Sequence, residues 1–524
     1  GYVCDPDRFA ASALARNEEQ PDFSIAGVLK GADGQPIDLN LCSTCRLVAS
    51  EMHGLALRTN TITFSTVTSD ELRILALSLQ RVMRPYVDGY RQEMTYHAAQ
   101  ALPAKIVDEL KLKYPPFVLV LERMREGPTD LETMLVSQPC KGAPYGEARS
   151  LWSNFCRDVV QANLPLDTEH TAIRRYWIET DYFNAASSPE KVARAIPRLV
   201  GIVECPLNHW SIPTDRALRA YAPRKEFDLE NARTKRDRIK YRFSAAAVAI
   251  LFLQSLGDRR CGQLRKIVLH EDRESVADPE SHALGLIPFC QQNPRLRVER
   301  RVDLWNNAFQ RDSRWAGKTT HMAMYMDKTR SNWGFRSCDV TSNINAWVME
   351  ALALSPAGMP ANSFSLIFDG QPTPQLATQI FQSVVQQDVT WQLAWEESVR
   401  RGTLAKPSPI HGDASTTLYN YYTFQFLPRA MKDIADQKSV VRCNFDVGEP
   451  SNVEKMVQDH KDWDDAQWHW GKFTNHDQKE WDTVPPLPSW RSILMGNLVP
   501  IPDGPYVPYS DPDSDYDSGT DSDW

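Results

Sequence analysis

The chain has 524 residues, 42% hydrophobic and 24% charged, an ordinary globular usage that excludes wholesale disorder. Single hydrophobic cores stop growing near ~250–300 residues, so two or three packing units are expected. The formal net charge is −8, and the aspartates from Asp511 to Asp523 supply most of it. The nearly neutral remainder lacks the broad basic face that a phosphate backbone requires, which argues against specific nucleic-acid binding.

The cysteines (Cys4, Cys42, Cys45, Cys140, Cys156, Cys205, Cys261, Cys290, Cys338 and Cys443) are scattered along the chain. That distribution predicts reduced thiols and an intracellular protein, cytoplasmic or nuclear. No Asn-x-Ser or Asn-x-Thr acceptor occurs, in keeping with a non-secreted chain. The first residue is Gly1 rather than Met, so a targeting segment ahead of it stays an open expectation.

In chain order, Leu41, Cys45, Val48, Met52 and Leu55 recur at helical spacing after Asp38 as an N-cap, predicting one buried helical face that ends between Gly54 and Asn60. Thr61 to Ser65 then alternates with β-branched character, predicting a short strand with Ile62 and Phe64 in the core. A second helical region runs from Ser69 to Tyr96 on Leu72, Leu75, Leu79 and Val82. The apolar run Phe117 to Leu121 reads as a buried strand.

From Pro189 to Gly370 a helix followed by a short apolar strand recurs. The pairs are Pro189–Ile196 with Leu199–Glu204, Phe243–Leu256 with Leu264–Leu269, Pro279–Gln292 with Leu296–Leu304, and Ile344–Leu354 with Phe364–Phe368. This alternation predicts parallel strands linked by helices, with Ile267 and Leu269 beside Val298. The helix core Ala245 to Leu256 is far shorter than the ~20 apolar residues of a membrane span, so it is expected to be buried and no membrane association is expected. A long helix from Pro374 to Arg401 is interrupted by Gln386, Gln387 and Asp388 and is expected to break there.

Each motif has a bland reading beside the sharp one. Cys42 and Cys45 form a lone CxxC with His53 as nearest imidazole and no second ligand pair, so buried cysteines are expected rather than zinc. Ala316-Gly317-Lys318-Thr319 imitates the end of a phosphate loop, but Asp312 stands where the leading glycine belongs. His270-Glu271-Asp272-Arg273-Glu274 begins like a metalloprotease helix and lacks the second histidine. The basic run Arg233, Lys235, Arg236, Arg238, Lys240 and Arg242 reads as a solvated approach to the apolar helix, with nuclear import or phosphate contact as the sharper alternatives. Trp463, Trp468, Trp470, Trp481 and Trp490 are either core anchors or a partner-binding patch. In the tail, Ser510, Ser514, Ser518 and Thr520 each have an aspartate three residues on, a pattern acidophilic kinases favour, beside the plain reading of an inert solubilising tail.

The stretch Leu41 to Phe64, with Thr44, Cys45, Arg46, Glu51, Asn60, Thr61 and Phe64 in place, resembles uncharacterised filamentous-fungal proteins related to F-box and F-box-like proteins. The block Gln263 to Trp305 is similar to one from the same kind of family. The resemblance implies a short F-box ahead of the chain, with Gly1-Tyr2-Val3 as the end of its last helix, docking on the adaptor subunit of a cullin-type ubiquitin ligase. It supplies no catalytic residues.

The sequence therefore predicts a mixed, helix-rich α/β fold. Residues 1–67 form a helix-turn-strand unit, 68–188 a mixed helical region, and 189–443 an irregular leucine-rich-repeat-like α/β region. Residues 444–500 form a Trp-rich segment and 501–524 a disordered acidic tail. The expected function is non-catalytic protein–protein interaction, with an F-box-like substrate-recognition adaptor as its specific form. An enzyme with dispersed groups and a fungal structural or self-recognition protein are the alternatives. No catalytic, cofactor-binding or metal residues are expected, and protein partners are.

Overall fold

A computed structural model of the chain describes residues 2–4, 29–31, 54–126, 147–164, 196–197, 199–221, 239–310, 334–405, 426–472 and 479–499. The expectations for residues 41–53, 233–238, 316–319 and 501–524 lie outside them. The fold is mixed α/β and helix-rich.

The strands are β1 (Tyr2–Cys4), β2 (Leu29–Gly31), β3 (Thr61–Ser65), β4 (Lys266–Glu271), β5 (Arg297–Asp303), β6 (Phe335–Arg336), β7 (Phe364–Asp369), β8 (Val441–Cys443) and β9 (Glu480–Trp481). Seven of them form one sheet in the order β2-β1-β3-β4-β5-β7-β8, while β6 and β9 pair separately. Every neighbouring pair in the large sheet is parallel except β1 with β2. Ile267 lies directly opposite Val298, as the helix–strand alternation predicts. The intervening connection is a 3-10 stretch, Pro279–Leu286, followed by the helix Ile287–Gln292.

The parallel strands follow chain order without reversal. Crossovers of one hand between such strands place their helices on one face, and the contacts agree. The helices named here are α1 (Asp70–Arg81), α2 (Gly89–Ala101), α3 (Val118–Glu126), α4 (Arg149–Asn163), α5 (Ala245–Leu256), α6 (Ser337–Ala353) and α7 (Gln386–Arg401). Phe64 of β3 packs on Phe252 of α5 with ring centroids 5.3 Å apart. The Arg300 guanidinium of β5 lies 4.7 Å from the ring of Trp347 in α6, and Phe368 of β7 meets Phe381 at 6.4 Å. Ile62, Leu269, Val298, Val302, Leu366 and Val441 complete this inner face within one apolar cluster.

Helix α5 is apolar all round because it is enclosed all round, every residue from Ala245 to Leu253 being buried. Ser244 caps its start by accepting from the Ala247 N–H. Gly257, at φ 70°, stops it.

The turns leading into β4 and β5 are built alike. Arg265 Nη1 donates to the carbonyls of Gly262 and Leu264 at 3.0 and 2.8 Å. Arg297 Nη1 does the same to Pro294 and Leu296 at 2.7 and 3.0 Å. Asn293 Nδ2 ties the turns together through the carbonyls of Cys261 and Leu264, both at 2.9 Å. Asn293→Ala removes two buried hydrogen bonds between the turns, although the Leu264 carbonyl keeps Arg265 Nη1 and the Cys261 carbonyl keeps the Leu264 N–H, and it is expected to lower stability by about 1–2 kcal/mol, read as a shift in the urea midpoint. An unmoved midpoint would show that the turns hold without it.

Several expectations are corrected. The Phe117 to Leu121 run is helical, entering α3 from the 3-10 turn Pro115–Phe117. A short apolar run fits either structure by periodicity alone, but Phe117, Val120, Leu121 and Met124 are all buried at helical spacing. Residues 199–203 are helical rather than a strand, and Val203 and Cys205 supply carbonyls to the buried Arg91 guanidinium. Leu55 opens a short helix, Leu55–Thr59, after Gly54 at φ 70°, and is half-buried rather than on a closed face. Tyr2 and Val3 lie in β1 instead of ending a helix. The path from Pro374 does not break at Gln386. A π-helical stretch, Phe381–Val385, precedes α7, and the polar residues are buried because they are paired. Gln386 Nε2 donates to the Val447 and Gly448 carbonyls, and Asp388 meets Lys472 at 3.0 Å.

The tryptophans mostly anchor. Trp468 is fully buried against Trp391, and Trp481 and Trp490 are buried, whereas Trp470 is 59% exposed.

Candidate functional site

Alternation along β3, β4, β5 and β7 divides the sheet into unlike faces. The inner positions are apolar and buried, apart from one ion pair. The outer positions form cross-strand rows. One row is Thr63, Val268, Glu299 and Ser365, and the next is Ser65, His270, Arg301, Ile367 and Arg442. Apart from the buried Val268 these side chains are half-exposed or exposed. Glu299 bridges Arg301 at 2.6 Å and Lys266 at 3.2 Å. Partial burial works against its charge, yet these two cations hold it below the usual carboxylate range. The surface is polar, with the apolar Ile367 among its side chains.

Glu271 is the polar exception on the inner face. Its carboxylate accepts from the N–H groups of Ala245 and Ala246 at the start of α5, where the helix dipole favours an anion. It also accepts from Arg300 Nε and Nη2 at 2.9 and 2.7 Å. Arg300 spends its other donors on the Glu280 and Pro279 carbonyls. Both side chains are essentially inaccessible.

A second charge cluster gathers four distant segments. Asp88 ends the π-helical stretch Val82–Asp88, Arg149 opens α4, His209 lies in the turn after Cys205, and Asp278 follows β4. His209 Nε2 is 3.2 Å from Asp88 and its Nδ1 3.4 Å from Asp278. Arg149 reaches Asp278 at 3.0 Å and Asp88 at 3.8 Å, and Arg84 reaches Asp278 at 3.1 Å. Burial alone would lower the His209 pKa, but the two aspartates raise it to about 10. Burial opposes the Asp88 charge, and His209 and Arg149 nevertheless hold that carboxyl below its ordinary value.

Asp88, His209 and Asp278 bring donor atoms within 4.8 Å of one another, a spacing that could hold a metal ion. The charges argue otherwise. Three cations, His209, Arg84 and Arg149, already face two carboxylates, so a divalent ion would have to displace them. The trio works as an ion-pair hub.

Next to it, Ala277 and Asp278 both adopt positive φ, 58° and 55°, at roughly 1–2 kcal/mol per residue. The turn is held in place because Gln80 accepts from the Ala277 N–H and the Ala277 carbonyl lies 2.7 Å from His282 Nε2. His282 Nδ1 sits 2.7 Å from the Ser244 hydroxyl. Burial and then the Arg300 charge drive the His282 pKa down to about 3, so it is neutral. The clefts flanking Arg84 hold about 30 and 50 Å³, space for a water or two and far below the ~300–1,000 Å³ of metabolite pockets.

The groups of the metalloprotease-like segment do not converge. His270 faces outward, Glu271 inward, and Asp272 accepts from the Thr66 N–H and hydroxyl at 3.1 and 2.9 Å. Where Asn60, Thr61 and Phe64 carry the motif resemblance, their roles are structural. Asn60 Nδ2 caps the preceding helix through the Ala56 carbonyl, Thr61 starts β3, and Phe64 fills the core. Sequence reasoning missed Asp88, His209 and Asp278, which lie far apart in the chain and form no local pattern.

Comparison of the chain with protein-family models, curated proteins and solved structures returns no match.

Proposed function

We propose that this chain is a non-catalytic protein–protein interaction protein whose outer sheet face is the recognition surface. The observation that carries this reading is the non-reversing run of parallel strands from β1 to β8. α/β enzymes place ligands at the crevice where strand order reverses, and among the described strands the parallel order has no such crevice. Stacked helix–strand units instead offer a broad surface to a macromolecular partner. The specific form of the proposal is an F-box-like substrate-recognition adaptor of a ubiquitin ligase, which rests on the motif resemblance and on this leucine-rich-repeat-like stacking.

Photo-crosslinking amino acids at Thr63 and Ser365, on the outer face, are expected to capture a defined set of host proteins that Gln254, exposed on α5, does not. Equal capture from Gln254, or none from the outer face, would remove the recognition surface. Co-purification of the cullin-ligase adaptor subunit with the native protein isolated from its host is expected, and its absence would remove the ubiquitin-ligase role alone.

A further inference from the structure

We infer that the turns entering β4 and β5 form a docking point for an acidic segment of a partner protein. This rests on the protein-recognition reading and places part of that recognition on the sheet's N-terminal rim. Arg259 and Arg260 project from the first turn and Arg295 from the second, all exposed. Arg265 and Arg297 flank them at corresponding places, their strands joined by the hydrogen bond from Arg297 N to the Arg265 carbonyl at 2.9 Å.

Neighbouring strands stand ~4.8 Å apart, and Arg297 lies opposite Lys266, one residue past Arg265, so the two turns sit side by side. Each of these two guanidiniums is fixed by one nitrogen on carbonyls of its own turn. The remaining nitrogens make no hydrogen bond among the described residues. Such fixed forks suit bidentate carboxylate recognition and lose little freedom on binding. The only acidic side chain within the two turns is Asp258, and the nearby Glu299 is already paired with Lys266 and Arg301.

A short acidic peptide fits this patch better than a nucleic acid. Base stacking needs aromatic platforms, and neither turn contains an aromatic residue. Five arginines on two turns neutralise a few carboxylates, whereas duplex binding engages a long phosphate track.

The test is fluorescence anisotropy of a fluorescein-labelled peptide of alternating Asp and Gly with the full chain, in about 100 mM salt, where the Debye length is ~10 Å. Saturable binding is expected, weakened about tenfold or more by R265Q/R297Q and separately by R259Q/R260Q, and unchanged by R429Q at a distant exposed site. Circular dichroism of each variant establishes that it is folded. No saturable binding, binding by both rim variants as tight as that of the unaltered chain, or tighter binding of a charge-matched DNA oligonucleotide or phosphatidylserine vesicles would overturn the inference. If the peptide fails while outer-face crosslinks persist, only the rim assignment falls.

Discussion

Replacing Arg300 with Met is expected to destabilise the protein by about 3–5 kcal/mol, the usual consequence of leaving one member of a buried ion pair uncompensated. The Met side chain fills much of the space under Trp347, so volume is not the main loss. The carboxylate of Glu271 would keep only the Ala245 and Ala246 N–H groups, and the Pro279 and Glu280 carbonyls would lose their donor. E271Q/R300M removes the buried charge while keeping an acceptor at the start of α5, so it should recover roughly half of the loss. Urea denaturation of the three proteins checks this. A loss of less than ~1 kcal/mol for R300M would mean that Glu271 is held by the helix terminus alone.

Stability should peak close to pH 6.5 and fall on both sides, each flank set by one buried histidine. His282 titrates near 3 in the fold and near ~6.5 when unfolded. Its stabilising contribution is therefore complete above pH 6.5 and is lost as pH falls toward 3, amounting to about 2 kcal/mol by pH 5. His209 has the opposite sign. Its folded pKa is raised to about 10, so its contribution is complete below 6.5 and is lost as pH rises through 10, about 3 kcal/mol by pH 8.5. Asp88, Asp278 and Arg149 face His209, while Ser244, the Ala277 carbonyl and Arg300 face His282. H282Q should flatten the acid limb and leave the alkaline limb in place, and H209Q should do the reverse. Urea midpoints measured across pH that stay flat for the native chain would remove both assignments.

The sheet was legible in the sequence where periodicity was clean. Strand β3 falls on the alternating Thr61 to Ser65 stretch, and α5 coincides with an apolar run of helical length. The pairing of β4 with β5 followed from the recurring helix–strand alternation that set Ile267 beside Val298. Legibility failed where local pattern is ambiguous or where tertiary partners decide. Phe117 to Leu121 fits a strand until the charged turn after it is counted into one helical face. Gln386 and Asp388 look like helix breakers until the Val447 and Gly448 carbonyls accept from the Gln386 amide and Lys472 meets Asp388. The hub at His209 was illegible for a different reason. A lone histidine acquires its charge from two aspartates, one 121 residues before it in the chain and one in the turn after β4, and no spacing rule encodes that.

The non-reversing strand order also governs how the molecule shares strain. Each strand is coupled most directly to the one before and the one after it in the chain, so cooperativity passes along the sheet as through a linear array of nearest neighbours. A defect at β8, a three-residue strand last in the order of the described strands, is buffered by β7 before it reaches the Glu271–Arg300 pair. A defect at β4 or β5 reaches both directions at once. Evolution can therefore remodel the far edge of the array freely, while the strands joined by that ion pair set the stability of the whole.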